Sequence, residues 1–153
     1  MILNKKRIFI TGGAGFIGSN LTAKLKKQNK VTVYDKRNGD DLLDFDKLNK
    51  AIKNHDFVFH LASNPDIAKS EKNPRLDLDQ GILTTFNVLE AMRLNNIPKI
   101  AYTSGSGVYG DQGLKYTKET FGPLLPTSMY GASKLAAEGL ISAFCRQFAG
   151  AVH

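Results

Sequence analysis

The sequence predicts an α/β fold, a parallel sheet with helices packed on both of its faces. Three observations lead there. Short β-branched or aromatic runs alternate with stretches of helical apolar spacing along the chain. One run, Phe57-Val58-Phe59-His60-Leu61-Ala62, is almost continuously apolar, as a strand covered on both faces must be. At Thr11-Gly12-Gly13-Ala14-Gly15-Phe16-Ile17-Gly18 a strand gives way to a glycine turn and then to a helix.

Arg7-Ile8-Phe9-Ile10 reads as the first strand, and Ser19 to Leu25 continues with helical spacing. Between them, Gly12 permits a tight turn, Gly15 lets the backbone approach a pyrophosphate, and Gly18 lets the helix pack close to the strand. The unpaired N–H groups at the start of that helix then face the negative charge. Val31-Thr32-Val33-Tyr34 is the second strand, and it ends at Asp35. A carboxylate roughly 20 residues beyond the glycines is placed to accept hydrogen bonds from an adenosine ribose. It would also repel a 2′-phosphate, so NAD is expected over NADP, with Lys36 and Arg37 as two cations that work the other way.

Gly39 to Asp44 is a turn with a brief extended piece, after which Asp46 is expected to cap a short helix, 47–54. The buried strand 57–62 follows, broken by the loop Ser63-Asn64-Pro65-Asp66. Residues 76–94 carry Leu78, Ile82, Phe86, Leu89 and Met92 at helical spacing, and Asn95-Asn96-Ile97-Pro98 ends that helix. Ile100-Ala101-Tyr102-Thr103-Ser104 is the fourth strand. A glycine- and proline-bearing loop, 111–126, leads to Ser128, the expected cap of a helix over 129–148. Strand and helix alternate without repeats, which gives right-handed crossovers and ligands at the carboxyl ends of the strands. Gly12, Asp35, Ala62 and Ser104 all fall at those ends.

With 153 residues the chain is expected to form one domain around a single core. No apolar run is long enough for a membrane span, and the first residues run straight into a strand without a secretion signal. Cys145 is the only cysteine, so an intramolecular disulfide is impossible, a metal site is not expected and a reducing cytoplasm fits. The net charge of +7 gathers at Lys5, Lys6, Lys24, Lys26, Lys27 and Lys30, where a solvated helix face explains it. No aromatic interleaving accompanies these cations, so nucleic acid is not an expected partner; steering of anionic ligands is the milder consequence.

Tyr130 and Lys134 stand at i and i+4, on one face of the last helix. An ammonium beside a phenol favours the phenolate, which makes a base usable near neutral pH. Together with TGGAGFIG at 11–18, Asp35, Asp41-Leu42, HLAS at 60–63, NVLEAM at 87–92 and YTSGSGVYG at 102–110, the stretch YGASKLAAE at 130–138 resembles the extended short-chain dehydrogenases/reductases. The resemblance is to their NAD-dependent epimerase/dehydratase branch, the UDP-glucose 4-epimerase-like proteins, and it runs through nearly the whole chain. It implies a Rossmann-type, doubly wound sheet. It also implies that Phe16 and Ile17 lie against the pyrophosphate, that Asp41 and Leu42 flank the adenine, and that Leu61, Ala62 and Ser63 line the dinucleotide. Thr103 and Ser104 complete the cofactor set at the fourth strand. Tyr130 would take the sugar hydroxyl proton, while Lys134 would hold the nicotinamide ribose and tune Tyr130. In such epimerases hydride passes from sugar C4 to the nicotinamide and returns to the opposite face, the substrate being a UDP-hexose. His60 and Cys145 read instead as core residues.

Three departures from the family pattern shape the expectations. Gly105 stands where relatives carry the Ser or Thr that hydrogen-bonds the reacting oxygen, and neither Ser104 nor Ser106 replaces it automatically, because alternate residues of an extended segment face opposite ways. Gly81 stands where many relatives have Asn. Relatives also have roughly twice the length. The expectation is therefore an N-terminal NAD-binding part only, with the C-terminal substrate lobe absent and an unpaired sheet edge at strand 99–104. On this reading a non-catalytic NAD-binding module, or a half-enzyme needing a partner chain, stands beside the epimerase, and a sugar-nucleotide dehydratase ranks lower because Ser106 and Gly107 provide no acidic pair. The resemblance implies a homodimer through helices 76–94 and 129–148.

Overall fold

The computed structural model describes residues 3–64 and 66–148. Its strands are β1 (Arg7–Thr11), β2 (Lys30–Tyr34), β3 (Phe57–His60) and β4 (Ile100–Tyr102), all parallel, in the order β2-β1-β3-β4. Thr11 lies opposite both Tyr34 and His60, and His60 lies opposite Tyr102. The four carboxyl ends are thus level, and the residues that leave them start from one line.

The helices are α1 (Phe16–Leu25), α2 (Phe45–Ala51), α3 (Ile67–Lys72), α4 (Arg75–Asp77), α5 (Thr84–Leu94) and α6 (Met129–Gln147). Side chains alternate across each strand and so feed two cores. Ile8, Ile10 and Phe57 pack with Leu21 and Leu25 of α1 on one face. Phe9 and Val58 face the other way, onto Leu48 of α2, Val88, Leu89 and Met92 of α5, and Phe144 of α6. Both faces are covered, as the buried run in β3 requires. β4 is half-buried along its length and pairs only with β3 among the described residues, so it forms an edge.

The structure differs from the sequence reading in four places. The second helix starts earlier than expected, because Asp44 and not Asp46 caps it, its carboxylate accepting from the Lys47 N–H at 3.0 Å; Asp46 sits in the first turn. The segment after Asn64 contains α3, with Asp66 as its cap. Between α4 and α5 the chain makes a π-helical turn, Leu78–Leu83. Beyond it Leu89 and Met92 are buried, as the helical spacing expects, together with Val88 and Ala91, while Phe86 on the same stripe is 43% exposed. Strands β3 and β4 end at His60 and Tyr102, and the expected strand residues beyond them, Leu61-Ala62 and Thr103-Ser104, form the rim of a cleft instead. Residues 1–2, Pro65 and 149–153 lie outside the described residues.

Candidate functional site

A cleft of about 510 Å³ lies across the carboxyl ends of the strands. Its floor is the glycine turn. Gly12 has φ +69°, and a Cβ there would stand 2.7 Å from the Ala62 nitrogen, so only glycine lets β1 and the end of β3 run this close. Gly15 caps α1 without any side-chain acceptor, and no acidic residue occupies the first turn. The first N–H groups of the helix are therefore available to an anion. Phe16, Ile17 and Gly18 border the same space, with Phe16 88% exposed.

At one end of the cleft Asp35 is fixed from both sides, accepting from the Ala14 N–H through Oδ2 and from the Arg37 N–H through Oδ1, each at 2.9 Å. The Arg37 guanidinium donates to the Ala14 carbonyl at 2.6 Å, and Lys36 pairs with Asp41 at 3.7 Å. Both cations that could have favoured a 2′-phosphate thus have protein partners. Leu42 borders the cleft, but Asp41 does not: its carboxylate turns back to accept from the Leu43 N–H at 3.0 Å, and Asp40 lines the cleft in its place. The segment is held by two side chains from elsewhere, Tyr34 Oη donating to the Asp41 carbonyl at 3.1 Å and Asn87 Nδ2 to the Leu42 carbonyl at 2.9 Å.

The other end carries Tyr130 and Lys134. Leu61, Ala62, Ser63, Thr103, Ser104, Tyr130 and Lys134 all border it. Ser63 Oγ is buried with no hydrogen-bond partner among the described residues. Ser128 Oγ accepts from the Gly131 N–H at 3.0 Å and so starts α6 where Tyr130 reaches the cleft from the first turn. One turn on, Lys134 is 2% exposed; its Nζ donates to the Thr103 carbonyl at 2.8 Å and lies 4.7 Å from the Tyr102 ring centre and 5.6 Å from that of Tyr130. Burial pushes this ammonium down to about 8. His60 is fully buried behind the cleft between Thr11 and Thr85, and burial, helped by the charge of Lys134, holds it neutral with a pKa of about 3.

The two glycine departures have different physical meanings. A Cβ at Gly81 would stand 2.6 Å from Ser133 Oγ, so the π-turn and α6 are too close here for an asparagine. A Cβ at Gly105 would meet nothing within 4 Å. Of its neighbours, Ser104 borders the cleft and Ser106 does not. Asn64, Gln80 and Thr84 also line the cleft and were not foreseen; the last two come from the π-turn and the residue after it, for which the sequence has no local signature.

A dinucleotide fits these residues: an uncapped helix start above a turn only glycine can make, a fixed carboxylate where a ribose would lie, and an orphaned serine hydroxyl along the wall. The model of the NAD dependent epimerase/dehydratase family matches residues 8–152. The chain belongs to that family. The family is NAD-dependent, and NAD is the cofactor. The chain is similar to the UDP-N-acetylglucosamine 4-epimerase of Methanobrevibacter ruminantium, at 30% identity and a TM-score of 0.87 over 96% of this chain and 53% of that one. The UDP-glucose 4-epimerase of Thermus thermophilus, solved with NAD, gives 31% identity and a TM-score of 0.85 over 94% and 52%. The UDP-glucose 4-epimerase of Mycoplasma genitalium is 31% identical over 95% of this chain and 50% of its own length.

These matches correct the expectation of an N-terminal NAD-binding part alone, defined by an absent substrate lobe. The family match runs through α6 as well as the glycine turn, and the solved relatives align over 94–96% of the chain. The non-catalytic module and the half-enzyme rested on that expectation as well as on Gly105, and they lose the first of these supports. The chain spans about half the length of the relatives it matches. Among the described residues no helix is long and apolar enough to cross a membrane.

Proposed function

We propose that this chain carries out the family's NAD-dependent epimerase/dehydratase chemistry on a nucleotide sugar. The observation that carries the proposal is the placing of Tyr130 and Lys134 at one end of the cleft whose other end is the glycine turn and Asp35. Gly12, Gly15 and the start of α1 hold the pyrophosphate, Asp35 the adenosine ribose, Leu42 the adenine, and Ser63 and Lys134 the nicotinamide half. Bound there, NAD supplies a hydride acceptor. Tyr130 takes the proton of the sugar hydroxyl, and the Lys134 ammonium, held by the Thr103 carbonyl, stands 5.6 Å from the Tyr130 ring centre beside it. Ser104 is the hydroxyl on the cleft wall that stands in for the one missing at Gly105. Ser106 and Gly107 offer no carboxyl group to assist loss of water, so epimerisation is the expected outcome.

UDP-sugars are the first substrates to try, because both UDP-glucose 4-epimerases aligned above cover this chain almost fully. Incubation with NAD and UDP-galactose should yield UDP-glucose, and Tyr130→Phe should abolish it. Tight NAD binding with no conversion of any UDP- or dTDP-hexose would refute the proposal. The partner is a second copy of the chain, docked through the outer sides of α5 and α6. The unpaired Cys145 is in keeping with a reducing cytoplasmic setting.

A further inference from the structure

His60 has no part in the chemistry proposed for the cleft, yet both of its ring nitrogens are hydrogen-bonded. Nδ1 pairs with Thr11 Oγ1 at 2.6 Å and Nε2 with Thr85 Oγ1 at 3.1 Å. The direction of each bond follows from the protons at hand. A threonine hydroxyl has one proton. Thr85 directs its own to the Gly81 carbonyl at 2.6 Å, so towards His60 it can only accept. Nε2 therefore carries the imidazole proton, Nδ1 is bare, and Thr11 donates to it. Thr11 Oγ1 keeps a lone pair for the Ala62 N–H at 3.3 Å. The bonds form one directed chain, from the Ala62 N–H through Thr11, His60 and Thr85 to the Gly81 carbonyl.

Each end of that chain meets the cleft machinery. Ala62 is the residue against which Gly12 turns. Gly81 is the residue against which Ser133 packs, and Ser133 Oγ donates to the Tyr130 carbonyl at 2.8 Å. The main chain adds a third link, because the Thr103 N–H donates to the His60 carbonyl at 3.4 Å and the Thr103 carbonyl receives Lys134. The groups facing the ring from packed elements are Tyr102 of β4, with ring centres 5.6 Å apart, and the ammonium of Lys134 on α6.

We propose that His60 is a positioning residue: as a fixed Nε2–H imidazole it couples the cofactor floor at Ala62 to the π-turn that seats Tyr130 and to the strand end that holds Lys134. It touches neither NAD nor sugar. The site needs an acceptor on one side of the ring and a donor on the other. Asparagine reaches only the Thr11 side and glutamine only the Thr85 side, so neither amide completes the chain. The coupling to the cofactor floor stands without the catalytic reading; the coupling to Tyr130 and Lys134 rests on it.

Two measurements on the full chain test this, and neither needs turnover. Long-range ¹⁵N–¹H spectra of the imidazole should show Nε2 protonated and Nδ1 bare at pH 7; a proton on Nδ1 overturns the proposal. Calorimetric titration with NAD should show Thr85→Val, a residue outside the cleft lining, weakening binding about threefold to tenfold. The double variant Thr11→Val, Thr85→Val should weaken it no further than Thr11→Val alone, since either break interrupts one chain. An unchanged Kd for Thr85→Val, or fully additive effects, sinks the idea. Coupled Kd values in a protein that converts no sugar would sink the catalytic reading and leave the coupling to NAD intact.

Discussion

Lys134 holds its ammonium against the Thr103 carbonyl and two aromatic faces, almost out of reach of water. Its pKa falls from 10.5 to about 8, which fixes the sign of its effect on stability. Below pH 8 the folded and unfolded chains both bind the proton, and the folded state bears the full cost of burying the charge. Between pH 8 and about 10.5 only the unfolded chain keeps it, so the cost of burial shrinks as it is replaced by the cost of losing the proton, and the charged form no longer sets the balance. Lys134→Met should therefore be more stable than the parent by as much as about 3 kcal/mol at pH 7 while losing activity, and the gap should close by pH 10.5. Urea unfolding at the two pH values checks this, and a gap independent of pH would exclude burial of the charge as its cause. Gly105 is the opposite case, a site with room and no strain. Its φ of −161° is extended backbone open to any residue, and nothing lies within 4 Å of the position of a Cβ. Gly105→Ser should fold normally and raise the initial rate by about tenfold to a hundredfold, the worth of one positioned donor. Ser104→Ala should lower the rate in the parent and matter less in the Gly105→Ser background, whereas no gain from Gly105→Ser would show that Ser104 already does the whole task.

At the scale of the elements, the π-turn Leu78–Leu83 and α6 form a very close joint, and Gly81 is what permits it. Gly81→Ala would gain up to about 1 kcal/mol of helix propensity but push a methyl group into Ser133, with a net loss of about 1–2 kcal/mol. Replacing Ser133 by glycine in that background should recover most of the loss, and strict additivity in urea unfolding would place the strain elsewhere. This joint also marks the limit of what the sequence discloses. The strand, glycine turn and helix at 7–25 were legible because backbone sterics act over a few residues, and Tyr130 and Lys134 were legible because one helical turn separates them. Whether Asp44 or Asp46 caps α2, whether Asp40 or Asp41 faces the cleft, and whether Phe86 points inward all depend on contacts with distant partners such as Asn87 on the Leu42 carbonyl. Helical spacing carries no sign of an inserted π-turn, and it places Phe86 on one stripe with Leu89 and Met92 although the structure buries only the last two.

For the whole molecule, the question is what covers the outer side of α5 and α6. Phe86 is 43% exposed and Leu83 38%, and Phe86 stacks edge-on against Phe144, which in turn packs on Phe148. An apolar strip of this kind along two adjacent helices is what a two-fold helix-bundle contact requires. The charge of the molecule works against association, at +7 per chain. Its densest cations, Lys5, Lys6, Arg7, Lys26, Lys27 and Lys30, line a depression at the amino ends of β1 and β2 and the end of α1, which packs in a different core from α5 and α6. Salt should therefore tighten the dimer by screening that repulsion, unlike a contact built from ion pairs. Sedimentation velocity at micromolar concentration should give a dimer whose dissociation constant falls as NaCl is raised from about 50 to about 500 mM. Phe86→Glu, which buries a charge only if the face is buried, should give a folded monomer. A parent chain that sediments as a monomer at every salt concentration would leave this strip without the proposed partner.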